Sequence, residues 1–173
     1  KQSPLGTNSN VLLLRTNSLT AFTPKGHLKL ITENASGYNM ILARQIDNYV
    51  LIRPKLTGDR RTNTGGAGEW GYGLTIYESS NGYIEKPYIR DMWGDGLYIG
   101  KAWGTPSNDV PTNITVIEPN IKGCRRNGIA LTSWDNVRIV RPVVSNVGDY
   151  DDIKGTWPKA AIDVEPEFAE GSP

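Results

Sequence analysis

The sequence has a single cysteine, Cys124, and a single histidine, His27. No disulfide can close within the chain, and zinc-type Cys/His ligation is excluded. Neither a Cys–His nor a Ser–His nucleophilic pair has an obvious partner. No cofactor and no metal are expected. An excess of one charge sign is also missing, with 19 Lys and Arg against 18 Asp and Glu. Nothing electrostatic therefore argues for nucleic acid or an anionic membrane as a partner. The apolar run VLLL at 11–14 is far too short to span a bilayer, and no signal-peptide pattern precedes it. Helix-period apolar stripes are scarce. What the chain does have is 19 Gly and 11 Pro, with short β-branched runs bounded by Gly, Asn and Pro. That pattern predicts an all-β protein of many short strands, whose chemistry rests on Asp, Glu, Arg, Lys and Tyr.

The chain repeats itself. Four segments align: DNYVLIRPKL (47–56), SNGYIEKPYI (80–89), TNITVIEPNI (112–121) and DNVRIVRPVV (135–144). Each carries Asn second (Asn48, Asn81, Asn113, Asn136) and Pro six residues later (Pro54, Pro87, Pro119, Pro142). One apolar column falls before the Pro (Leu51, Ile84, Val116, Ile139) and another after it (Leu56, Ile89, Ile121, Val144). A further strand type supplies anchors at Ile41, Leu74, Leu97, Ile129 and Ile162, and the shortest full period is 23 residues. Three short strands per period, with three apolar columns in register, describe the coil of a right-handed parallel β-helix (solenoid) of about five coils. A β-sandwich would not repeat residue identities in this way. Stacked Asn side chains would form a ladder at a turn, since Asn tolerates left-handed backbone. The Pro column fits a bend where its missing N–H is tolerable.

Residues 1–35 read as a linker or arm and an incomplete first coil, with Leu30 and Ala35 in the second and third columns; residues 36–173 form the coils proper. The stack ends soon after the fifth anchor strand with no polar cap. The expectation is a fragment of a longer helix, or an end covered by another chain.

Strand parity turns the residues after each anchor outward: Leu42 and Arg44, Thr75 and Tyr77, Tyr98 and Gly100, Ala130 and Thr132, Asp163 and Glu165. Long loops at 57–73, 101–112 and 145–160 all border this face, and each carries a tryptophan, Trp70, Trp103 and Trp157. An aromatic, polar floor between two loop walls suits an extended polysaccharide. Aromatic faces pack on sugar rings while Arg and carboxylates bond hydroxyls. Candidate substrate-binding residues are Arg44, Glu69, Trp70, Tyr77, Tyr98, Trp103 and Trp157. The alternative for each Trp is that it anchors its own loop.

Asp163 and Glu165 form the outward pair with two carboxylates, at i and i+2, so their Cα atoms lie about 7 Å apart. That suits an inverting acid/base pair, whose carboxyl groups stand roughly 6.5–9.5 Å apart. It also suits two solvated acids on a strand edge. Asp95 is a third catalytic candidate, in a column with Asn39 and Asn127 that reads more readily as a turn. Asp149, Asp151 and Asp152 lack the spacing of a calcium loop. Elimination would call on Arg44, Lys101, Arg125 or Arg126 as base, and no motif frames any of them. Hydrolysis is therefore preferred.

The segments NGIALTSWDNVRIVRPVVSN, GDGLYI and AAIDVEPE resemble the right-handed parallel β-helix of the pectate-lyase-like superfamily, and bacteriophage tailspike depolymerases in particular. The resemblance covers about residues 36–166. It implies glycan binding along an exposed groove or between subunits of a homotrimer, an extracellular or virion-tail setting, and catalysis by two or three Asp/Glu on adjacent coils. The expected function is a polysaccharide depolymerase of the glycoside hydrolase type acting on bacterial surface or capsular glycan. The alternatives are a non-catalytic glycan-binding or structural β-helix of a virion fibre, and a polysaccharide lyase.

Overall fold

The structure, a computed structural model, describes residues 9–31, 37–65, 68–102, 109–150 and 154–166. Among these, every regular element is a strand. The first coil holds β1 (Ser9–Leu13), β2 (Ser18–Ala21) and β3 (Leu28–Lys29). The next holds β4 (Gly37–Arg44), β5 (Asp47–Ile52) and β6 (Lys55–Thr57), followed by β7 (Trp70–Tyr77), β8 (Ser80–Glu85) and β9 (Tyr88–Arg90). Then come β10 (Leu97–Gly100), β11 (Thr112–Ile117) and β12 (Asn120–Lys122), then β13 (Ile129–Leu131), β14 (Asp135–Val140) and β15 (Val143–Ser145), and last β16 (Ile162–Val164). The strands stack into three sheets: sheet I is β1-β4-β7-β10-β13-β16, sheet II is β2-β5-β8-β11-β14, and sheet III is β3-β6-β9-β12-β15. All neighbours pair in parallel. The fold is a parallel β-helix.

The register is the one the apolar columns dictate. Ile41 pairs with Leu74, Leu74 with Leu97, Leu97 with Ile129 and Ile129 with Ile162. In sheet II Leu51, Ile84, Val116 and Ile139 stack in turn, and in sheet III Leu56, Ile89, Ile121 and Val144. Through the middle coils these side chains are completely buried. Burial of each contributes about 1.5–3 kcal/mol. Cys124 belongs to the same core, where burial pushes its thiol up to about 12. On the last strand the inward residues Ile162 and Val164 are 45% and 54% exposed, so the core column thins out there.

The Asn column turns the chain. Asn48, Asn81, Asn113 and Asn136 all have φ between 49° and 56°. Asn113 donates to Asn81 (3.2 Å) and Asn136 to Asn113 (2.7 Å), while Asn81 donates instead to the Asp47 carboxylate (2.7 Å). At the second corner the left-handed residue is the one before each proline: Arg53, Lys86, Glu118 and Arg141. The carbonyls of Pro54, Pro87 and Pro119 stay in the ladder, each accepting from the next coil.

The first coil differs from the sequence expectation. It is made of three strands, and Leu30 does not take the second column: Leu12 pairs with Ile41, Thr20 with Leu51 and Leu28 with Leu56. Ala35 lies outside the described residues. Asn17 (φ 54°) begins the Asn ladder, accepting from Asn48 (3.3 Å). Pro24 follows Asn17 by seven residues where later coils have six, and Leu28 follows Pro24 by four where later coils have two. These extra residues displace the column from its 23-residue spacing.

Sheet I departs from simple alternation just before the anchor. Met40 and Ile41 are both completely buried in the core. In the following coils the position before the anchor is Gly73, Gly96 and Gly128. A Cβ there would collide with the third-column residues Ile89, Ile121 and Val144 respectively. Two successive inward positions reverse the parity upstream. Asn39, Tyr72, Asp95 and Asn127, two residues before the anchors, therefore bond and pack with the outward face. This step in the strand assembles the site.

Candidate active site

Asp95 precedes β10 and its side chain has no exposed surface. Its sequence column reads as a turn, and Asp95 and Asn127 do lie among the bends before β10 and β13, as buried hydrogen-bonding groups, whereas Asn39 sits within β4. One Asp95 oxygen accepts the backbone N–H of Asn127 (2.8 Å) and the other accepts from Arg126 Nη1 (2.9 Å). Burial pushes the Asp95 carboxyl up to about 7, against the opposing pull of Arg126 and of the Asn127 N–H. Burial opposes the charge on Arg126 more than any single neighbour favours it, but Asp95, Tyr72 and Glu69 together outweigh it and hold the guanidinium firmly protonated.

Arg126 and Asn127 then reach the next coil. Arg126 Nη2 lies 3.5 Å from Glu165 Oε2, and Asn127 Nδ2 donates to Asp163 Oδ2 (2.9 Å). Asn127 Oδ1 accepts the Ala160 N–H (2.9 Å), which fixes the amide orientation. From the other side Glu69, in the loop before β7, stands 3.7 Å from Arg126 Nε. Glu69, Asp95, Asp163 and Glu165 thus converge on two adjacent residues. Glu165 is 48% and Glu69 35% exposed at the side chain, so both reach solvent while Asp95 does not.

The aromatic candidates divide. Tyr72 stacks on Tyr98 with ring centroids 4.9 Å apart, Tyr77 meets Tyr98 edge-on at 5.6 Å, and Trp70 packs against this cluster. Tyr98 also hydrogen-bonds Thr132 (3.0 Å). Burial and then the nearby Asp95 charge push the Tyr72 phenol well up, so it stays protonated. With Leu42, Thr75 and Ala130 also buried, the middle of the outward face is packed. The accessible part lies toward β16. There Trp157 is 76% exposed, and its carbonyl accepts from Arg126 Nε (3.2 Å). Its loop is braced by Asp149, which accepts from Gly155 N (2.6 Å) and Lys159 Nζ (2.7 Å).

Arg44 stands apart on β4, the second strand from the far edge of sheet I, 3.8 Å from the buried Glu78 carboxylate. Four inter-strand steps of about 4.8 Å separate its strand from β16. Trp103, Asp151 and Asp152 lie outside the described residues. Among the described residues no three His, Cys, Asp or Glu are placed to hold a metal ion. Sequence reasoning named Arg126 only as one of several unframed bases and gave Asn127 no role at the site, though these two join the carboxylates. The signal that finds them is the glycine before the anchors Leu74, Leu97 and Ile129, which accommodates the parity step.

No protein-family description matches the chain, and no solved structure matches it. Among curated proteins the chain is similar to YclG, an uncharacterized protein of Bacillus subtilis (strain 168), with 28% identity over 156 residues. The match takes in 86% of this chain and 26% of YclG, so the chain spans about a quarter of that relative's length.

Proposed function

We propose that this parallel β-helix processes glycans, as a polysaccharide depolymerase of the glycoside hydrolase type with the character of pectate-lyase-like and tailspike proteins. The observation that carries the reading is the convergence of Asp163 and Glu165 with Asp95 on Arg126 and Asn127, beside the exposed ring of Trp157. In this reading Asp163 and Glu165 are the acid/base pair that touches substrate, at a spacing that suits inversion. Asp95, shielded from solvent, is a positioning residue that holds Arg126 and Asn127. Trp157 offers a flat apolar face to a sugar ring. The substrate is bacterial surface or capsular polysaccharide, the setting is extracellular or on a virion tail, and the assembly is a homotrimer.

One observation favours a second reading, in which the helix binds glycan without cleaving it. Glu165 and Glu69 both lie near the Arg126 guanidinium, an arrangement that also serves to bond sugar hydroxyls. Reducing-end release from capsular polysaccharide decides between the two. Asp163→Asn and Glu165→Gln should each lower it by about a hundredfold or more. Full activity in both variants removes the catalytic assignment, and binding without release in the unaltered protein selects the second reading. An unsaturated, ultraviolet-absorbing product would replace hydrolysis with elimination.

A further inference from the structure

The outer face of sheet III carries a different chemistry. Its two outward columns run Lys29, Thr57, Arg90, Lys122 and Lys55, Tyr88, Asn120. One cation therefore falls on each of four successive coils, spaced about 4.8 Å apart along the helix axis. At the upper end a cavity of about 700 Å³ is lined by His27, Lys29, Thr57, Arg61, Arg90 and Asp91. A second depression of about 360 Å³, between His27, Lys55, Tyr88 and Arg90, extends it down the face. Among the described residues the carboxylate lining the larger hollow is Asp91, nearly buried and shared by Arg61 (3.2 Å) and Arg90 (2.9 Å). Among the described residues four cations, Lys29, Lys55, Arg61 and Arg90, line the cleft against one carboxylate, in a chain whose overall charge is only +1. The effect is visible on His27, which donates to or accepts from Thr57 Oγ1 (2.9 Å). Burial and then Lys55, Lys29 and Arg90 hold its ring below the usual imidazole range.

We propose that this face is a binding site for an acidic glycan, a chain with carboxylate or sulfate groups, laid along the helix axis over Lys29, Lys55, Arg90 and Lys122. The spacing selects this class of ligand. A phosphate dianion is met by several donors converging on one point, whereas here single cations are distributed one to a coil. Between them stand Thr57 and Asn120, suited to hydroxyl groups, and the ring of Tyr88, suited to the apolar face of a sugar. The site lies on a different sheet from Asp163 and Glu165 and does not depend on the reading given to them.

The test is binding of hyaluronate, dextran sulfate, neutral dextran, polyphosphate and a single-stranded oligonucleotide to the full chain at low and high salt. Hyaluronate or dextran sulfate should bind, with affinity falling as salt rises, and neutral dextran should not compete. Lys29→Gln/Lys55→Gln, at two exposed positions, should weaken binding by about tenfold and leave thermal unfolding unchanged, while Glu165→Gln should bind as the unaltered chain does. The single histidine is a reporter: its NMR titration should move upward when the polyanion offsets the field of Lys29, Lys55 and Arg90. Indifference to the double substitution, equal binding of neutral dextran, or tighter binding of polyphosphate or oligonucleotide than of either glycan would overturn the proposal. Loss of glycan cleavage in Glu165→Gln with this binding intact separates the two sites.

Discussion

Arg126 Nη1 lies 2.9 Å from Oδ2 of Asp95, an acid with no exposed side-chain surface, while the arginine side chain is 14% exposed. The arginine thus covers a buried charge and carries its influence outward to Glu165 and Glu69.

The first consequence is a pH dependence of stability. The Asp95 carboxyl is raised to about 7 in the folded chain, above its ordinary value of 3.8. Between those limits the folded state holds a proton that the unfolded state has lost. Its stabilising contribution is therefore complete below about pH 4 and disappears as the pH rises through about 7. The loss is on the order of a few kcal/mol. Urea unfolding at intervals from pH 4 to pH 8 should show this decline in the unaltered protein and a flatter profile in Asp95→Asn, which keeps an acceptor for the Asn127 N–H. Parallel profiles for the two proteins would contradict it.

Removing the arginine tests the pair from the other side. Arg126→Met removes the cation that holds the Asp95 carboxyl down, so Asp95 should take up a proton at neutral pH and the variant should lose about 1–3 kcal/mol with the lost hydrogen bonds. Adding Asp95→Asn to that variant should recover part of the loss above neutral pH, where Asp95 would otherwise have to ionise without its cation. A double-mutant cycle by urea unfolding reads the coupling directly, and strict additivity would mean the two side chains act independently.

Inside the helix, Gly82 on β8 faces the ring of Tyr49 on the strand stacked next to it, and a Cβ at Gly82 would overlap that ring and approach Ile114 at 3.0 Å. Gly82→Ala should therefore destabilise by about 1–3 kcal/mol, and Tyr49→Leu in the same chain should make the added methyl less costly. The Tyr49 hydroxyl is buried and has no hydrogen-bond partner among the described residues. Tyr49→Phe should be neutral or stabilising in thermal unfolding.

In the turn ladder Asn113 is bonded to an asparagine on either side, donating to Asn81 and accepting from Asn136 at φ 56°. Asn113→Ala loses both side-chain bonds and leaves an alanine in a left-handed turn, at a cost of about 1–3 kcal/mol. Asn113→Gly loses the bonds but relaxes the backbone, so it should fall between alanine and asparagine in denaturant midpoint. Alanine and glycine variants of equal stability would show that backbone strain contributes nothing at this corner.

What the sequence alone determined is the stack. Parallel coils place equivalent positions on top of one another, so the apolar, Asn and Pro columns had to appear as repeated identities. Every anchor from Ile41 to Ile162 pairs as the spacing requires. The first coil escaped because extra residues around Pro24 shift Leu28 out of the 23-residue period without disturbing its stacking on Leu56. The tertiary structure alone decided which carboxylates meet. Asp95 and Asp163 are 68 residues apart, and simple alternation gives no reason for them to share a face. They do so because Gly73, Gly96 and Gly128 let the backbone press against Ile89, Ile121 and Val144 where a Cβ would not fit. The resulting parity step presents Asp95, Arg126 and Asn127 to the strand that carries Asp163 and Glu165.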